Sequence, residues 1–261
     1  MNIEPLAVSP LNPIQARPSP GALFLGVIAM AKVAVLVDLS FFLKCYRRVI
    51  GKPGTAKHPS ESVADSVWNT AVAHVDKKKD ELYRILVYDC RPYDKKAHHP
   101  LTKRLIDFSK SDQAIFRSAL LDQLKRKRKM ALRLGDLQDG KRWQFHKRIV
   151  KDLLNGKVQV GDLTENDVYY DIKQKGVDIK IGLDIASLAF KRMVDRVVLI
   201  TGDSDFVPAA KLARREGIDV VLDPLWNPIS PDLHEHIDGL KSVWQKPASS
   251  EKNERSMRRI L

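Results

Sequence analysis

Short apolar runs alternate with helix-like stretches along most of this chain. Residues 33–37, 82–88, 197–200 and 218–222 are largely β-branched or aliphatic, which suits strands buried on both faces of a parallel sheet. Weaker strand signals lie at 130–134 and 168–173. Between them, residues 41–49, 60–79, 111–128, 179–191 and 209–216 carry helical character, and 231–238 fit a further short helix. Ser60 and Glu61 open one of these segments, and Val63, Val67, Ala71 and Val75 then fall on one face at helical spacing. Gly217 closes another at the position where a left-handed residue ends a helix. Strands in alternation with helices predict an α/β fold around a mainly parallel sheet.

Four of the apolar runs finish on an aspartate. Asp38 follows VAVLV, Asp89 follows RILVY, Asp203 follows VVLITG and Asp223 follows DVVL. The run at 197–200 leads through Thr201-Gly202 into Asp203-Ser204-Asp205, and Pro208 then suits the first turn of a helix. Asp and Ser at such a turn cap free N–H groups, and that alone accounts for them. Several carboxylates along one sheet edge, however, repel one another, and a hard divalent cation offsets that repulsion. Two further acids bracket the helix predicted over 179–191. Asp178 stands at its N-terminus, and Asp184 lies six residues on, about 240° around the axis, so they do not share a face. Asp184 sits inside the apolar sequence IGLDIASLA, where a carboxylate needs either a Lys or Arg partner or a metal.

Composition adds a basic body to these acidic strand ends: 45 Lys+Arg against 32 Asp+Glu, a net charge of +13. A cationic surface attracts a polyanion, and a metal lets an acidic pocket accept a phosphate. Two segments concentrate the cations. One is Lys125 to Lys129. In the other, Lys141, Arg142, Lys147 and Arg148 surround Trp143 and Phe145, as on a nucleic-acid surface, although an amphipathic element burying its rings reads the same. His98-His99-Pro100 falls in a polar stretch that predicts a solvated loop, and His234-Glu235-His236 lack the spacing of zinc ligands on a helix.

One domain is expected over 32–245. Pro-rich residues 1–31 predict a disordered extension or a start assigned too far upstream, and 246–261 a disordered basic tail. No apolar run reaches the roughly 18 residues of a membrane span, and two cysteines without ligand spacing favour a reducing, cytoplasmic setting.

VAVLVD at 33–38, KGVD at 175–178, Asp184 within LDIASLA and ITGDSDF at 200–206 together resemble the NYN domain, the LabA-like branch of the PIN-like nuclease superfamily. The resemblance covers about residues 32–245. It implies a Rossmann-like, PIN-like three-layer sandwich and Mg²⁺- or Mn²⁺-dependent hydrolysis of RNA phosphodiesters, with a catalytically inactive RNA-binding module as the alternative. Carried onto this sequence, Asp38, Asp184, Asp203 and Asp205 match the family's catalytic metal-site acids, and Asp178 a secondary acid. Ser40, Ser204, Lys141, Arg142, Trp143, Lys147 and Arg148 are the residues expected to contact RNA, and homo-oligomer formation is left open. The family's first motif usually has asparagine three residues after its first aspartate, where this chain has Phe41. A haloacid-dehalogenase phosphatase would need an aspartate at Ser40, and a P-loop hydrolase a G-x-x-x-x-G-K-[ST] loop that the chain lacks.

Overall fold

A computed structural model describes residues 30–247, so the extension at 1–29 and the tail from 248 lie outside the described residues. The strands are β1 (Ala31–Asp38), β2 (Asp80–Cys90), β3 (Lys96–His98), β4 (Leu105–Asp107), β5 (Met130–Phe145), β6 (Val168–Lys175), β7 (Arg196–Ile200), β8 (Asp219–Asp223) and β9 (Gly239–Leu240). The helices are α1 (Leu39–Val49), α2 (Ser60–Val72), α3 (Asp112–Lys125), α4 (Lys147–Leu154), α5 (Val177–Phe190), α6 (Val207–Arg215) and α7 (Pro231–Glu235). Seven strands form one sheet in the order β6-β5-β2-β1-β7-β8-β9, and β3 pairs with β4 apart from it. All neighbours in the large sheet are parallel except β5 and β6. Among the described residues no helix is long and apolar enough to cross a membrane.

The two-residue period of the strands divides the core into two layers. Val33, Val35, Val37, Ile85, Val87, Val198 and Ile200 face α1, α2 and α3. Ala34, Leu36, Leu86, Tyr88, Val197, Leu199, Val220 and Leu222 face α5, α6 and α7. Helices therefore cover both faces, and the molecule is a three-layer α/β sandwich.

Topology selects one place on the carboxyl edge. From β1 the chain moves outward on one side through β2, β5 and β6, and then returns to β7 on the other side of β1. Strand order thus reverses between β1 and β7, and open parallel sheets bind ligands in the crevice beyond that point.

Three elements depart from the expected pattern. β5 extends to Phe145, where only 130–134 was expected, because beyond Gly135 it leaves β2 and pairs with β6 alone. The helix opened by Ser60 stops at Val72, where residues 60–79 were expected to continue. The stretch 93–111, expected to be a solvated loop, holds β3 and β4 and buries His99.

Candidate metal centre

Asp38 ends β1 and caps α1, its Oδ1 accepting from Phe41 N–H at 3.0 Å. Beyond β7, Asp203 caps the 3₁₀ turn Ser204–Phe206 in the same way and accepts from Asp205 N–H at 3.0 Å. Asp178 comes from the opposite side. β6 runs antiparallel back to the edge, Gly176 turns it at a φ of +80°, and α5 starts there with Asp178 in its first turn. Asp38, Asp178, Asp203 and Asp205 therefore reach one end of the sheet from three separate parts of the chain.

Their charges are felt mutually. The Asp38 carboxyl is pushed up to about 6, first by burial and then by Asp178 and Asp89, against hydrogen bonds from the Phe41 and Ser40 N–H groups. Asp178 is also raised, by desolvation and then by Asp203 and Asp205. Among the described residues no Lys, Arg or His lies within ion-pair distance of any of these four acids. Asp38 and Asp203 line a shallow crevice of about 500 Å³ with Ser40, Lys44 and Ser204. Phe41 walls it closely enough that a Cβ on Gly202 would lie 2.6 Å from the ring, so only glycine fits there. The crevice thus has an aromatic wall where the family pattern has an amide.

Asp184 is not part of this group. It lies two turns down α5 and receives Arg133 through Nε and Nη2, both at 2.9 Å, and the Tyr88 hydroxyl at 2.8 Å. Of the two ways to hold an acid in apolar sequence, the fold uses an arginine partner. Burial, and then Asp184 itself, push the Tyr88 hydroxyl up, so it remains a donor. Asp89 and Asp223 also end strands but are spoken for. Buried Asp89 pairs with Arg117 and accepts from Ser40 Oγ at 3.3 Å and Gln174 Nε2 at 3.4 Å. Asp223 meets His74 Nε2 at 2.9 Å in the core and accepts from the Leu225 and Val243 N–H groups.

The residues expected to contact RNA separate. Ser204 is exposed in the crevice, whereas the Ser40 hydroxyl, taken up with Asp89, also accepts from Gln174 Nε2 at 2.8 Å. Register puts Arg133 level with Tyr88 and Asp38. Lys141, eight residues further along β5, lies in the irregular stretch between Asp139 and Trp143, on the arm that β5 forms with β6 beyond the sheet edge. Arg142 pairs with Asp171 at 3.2 Å. Trp143 packs edge-on against His99 and Tyr170, with centroids at 4.8 and 5.3 Å, and so is no open stacking platform. Lys147 and Arg148 start α4, exposed and distant from the crevice. Sequence reasoning missed Lys44, although a signal existed: Ser40, Lys44 and Arg47 recur at helical spacing on the face of α1 opposite buried Phe42 and Tyr46.

The oxygen-only donor set suits Mg²⁺ or Mn²⁺. Among the described residues the one trio of potential ligands whose atoms lie within 4.8 Å of one another is Asp232, Glu235 and His236, on α7 and its C-cap. The acids at the edge are spaced more widely than that.

No curated protein matches the chain. A crystal structure of a protein of unknown function from Vibrio parahaemolyticus shares 15% identity with it, over 85% of this chain and 98% of that one, with a TM-score of 0.43. The family match spans Asp178, Asp203 and Asp205 but not Asp38, which joins them through the fold. Residues 104–228 match the NYN domain, which belongs to the PIN-like nuclease superfamily.

Proposed function

We propose that this protein is an Mg²⁺- or Mn²⁺-dependent ribonuclease whose site is the cluster Asp38, Asp178, Asp203 and Asp205. The observation that carries the reading is the contrast among the acids at one edge. Asp89, Asp184 and Asp223 each have a basic partner, while these four have none among the described residues, and Asp38 and Asp203 line the switch-point crevice. A protein with a net charge of +13 has cations to spare, so four uncompensated carboxylates point to a cation from outside.

A bound divalent ion neutralises charge developing at phosphorus and lowers the pKa of a bound water. Asp38 and Asp203 would hold it, with Asp178 and Asp205 reached directly or through water. The chain's own contribution is positional. Asp38 must lose its proton to serve, and the caps to Phe41 and Asp205 N–H fix the carboxylates of Asp38 and Asp203. The N-terminus of α5 turns the positive end of its helix dipole toward the same edge, which favours an incoming phosphate. Buried, unpaired Cys45 and Cys90 are compatible with a cytoplasmic setting.

The test compares wild-type protein with the variants Asp203→Asn, Asp178→Asn and Asp184→Asn on single-stranded RNA in Mn²⁺. Asp203→Asn and Asp178→Asn should each lower cleavage by about 100-fold or more while keeping the wild-type circular dichroism spectrum. Asp184→Asn should lose about 1–2 kcal/mol of stability through the weakened Arg133 pair, with cleavage within a few fold. Cleavage unchanged in Asp203→Asn overturns the assignment. RNA binding without cleavage by the wild type would favour the binding-module alternative.

A further inference from the structure

A second depression adjoins the acid crevice and carries the opposite charge. It lies between α1, the loop 50–59 and α3, encloses about 890 Å³, and is lined by Lys44, Arg47, Lys52 and Arg117 against a single acid, Asp112. Ser40 and Lys44 line both depressions, so the two are continuous. Lys44, Arg47 and Lys52 are exposed and have no carboxylate within 4.0 Å among the described residues. The groove is not purely ionic. Ile115 is 57% exposed at its wall, and half-buried Phe116 lies beneath Gly54, where an added Cβ would stand 3.2 Å from the ring.

The basic segments that stand out in the sequence lie away from the acids, and several of their cations are paired. Lys125 to Lys129 form the turn that enters β5, at the amino edge of the sheet and opposite the acids. Lys125 pairs with Asp122, Lys127 with Asp65 and Lys129 with Glu81. Lys141 to Arg148 stand far along the β5 arm, with Arg142 held by Asp171.

Resting on the nuclease reading, we propose that this groove is the track along which single-stranded RNA reaches the acid cluster. Lys44, Arg47 and Lys52 would hold successive phosphates, while Phe116 and Ile115 give the bases an apolar wall. Unpaired cations beside an apolar wall are the combination that single-strand sites use. Lys44, at the junction, would hold the phosphate next to the scissile one.

The test uses the full chain and a fluorescein-labelled single-stranded RNA. Binding is measured by anisotropy in EDTA on the Asp203→Asn background, so that neither metal nor cleavage enters. Adding Lys44→Glu, Arg47→Glu and Lys52→Glu together should weaken binding by about 30-fold. Adding Lys147→Glu and Arg148→Glu should change it less than about threefold. In the cleaving protein with Mn²⁺, Arg47→Glu and Lys52→Glu together, with Lys44 kept at the crevice, should raise KM and leave kcat within about threefold. A parallel set with glutamine at the three positions guards against misfolding and should show a smaller loss in the same order. Wild-type binding by the groove variants, or an equal loss in the α4 control, overturns the track. Loss of binding in the groove variants together with a wild type inert in Mn²⁺ keeps the track and removes the nuclease.

Discussion

Asp38 carries the clearest consequence of gathering acids at one edge. Its folded pKa of about 6 exceeds the ordinary value of 3.8 because burial, and then Asp178 and Asp89, disfavour its charge. The sign of the linkage follows. Below pH 4 both folded and unfolded chains hold this proton. Between about 4 and 6 the unfolded chain releases it while the folded chain keeps it, so stability falls with rising pH; above 6 a constant cost remains. In metal-free protein, Asp38→Asn should therefore gain on wild type from pH 4 to 7, by about 2 kcal/mol after allowance for partial exposure. Asparagine still caps α1, so the cap is not what changes. In Mn²⁺ at pH 7 the order should invert, with wild type melting higher. Paired melts at both pH values check this, and a pH-independent difference would count against a desolvated Asp38. Asp178 and Asp184 show how far single residues were legible. Their angular separation on α5 is written in the sequence, but the partner that takes up Asp184, Arg133, is 51 positions away and belongs to no local pattern.

At the scale of elements, the β5–β6 arm is where pattern and structure part. Leu134 ends the apolar run because β5 leaves β2 there, and a strand with one neighbour needs only intermittent apolar contacts. Those contacts come from Trp143 and Tyr170, joined by Tyr93, Phe108 and His99 from segments outside the large sheet. Apart from Trp143, each ring is unremarkable in its own stretch, so only the fold reveals the cluster. His99 shows the same thing: a histidine in polar sequence, yet buried, with Nε2 on Glu165 O at 3.3 Å. The cluster braces the arm and is not a stacking surface. Trp143→Ala should accordingly cost about 2 kcal/mol, read as a lower Tm, with RNA affinity within about twofold of wild type. A stable Trp143→Ala protein with weakened RNA binding would restore the surface that the sequence suggests.

At the scale of the whole molecule, the sandwich and its parallel sheet were legible because strand and helix periods alternate cleanly and β1, β7 and β8 are continuous apolar runs. The switch point was not, because strand order depends on which neighbour β7 chooses. Charge divides in the same way: the excess of +13 can be counted in the sequence, but its location cannot. Part of the cationic charge is tied down in pairs such as Arg196 with Asp80 and Asp219, or Arg214 with Asp238. The folded surface still carries many cations outside such pairs among the described residues, and the salt dependence of binding measures how many of them meet a polyanion. Each phosphate contacted on a single strand contributes about −0.7 to the slope of log K against log salt. Contacts from Lys44, Arg47 and Lys52 set that slope near −2, whereas diffuse attraction by the whole excess would make it several times steeper. Titration of Asp203→Asn protein with single-stranded RNA across a salt series in EDTA separates the two. A slope near −2 that flattens toward zero when the three groove cations are replaced would mean that the protein meets RNA through one discrete groove, its remaining positive charge serving the fold and its solubility. A steep slope that survives their replacement would mean that the whole surface binds.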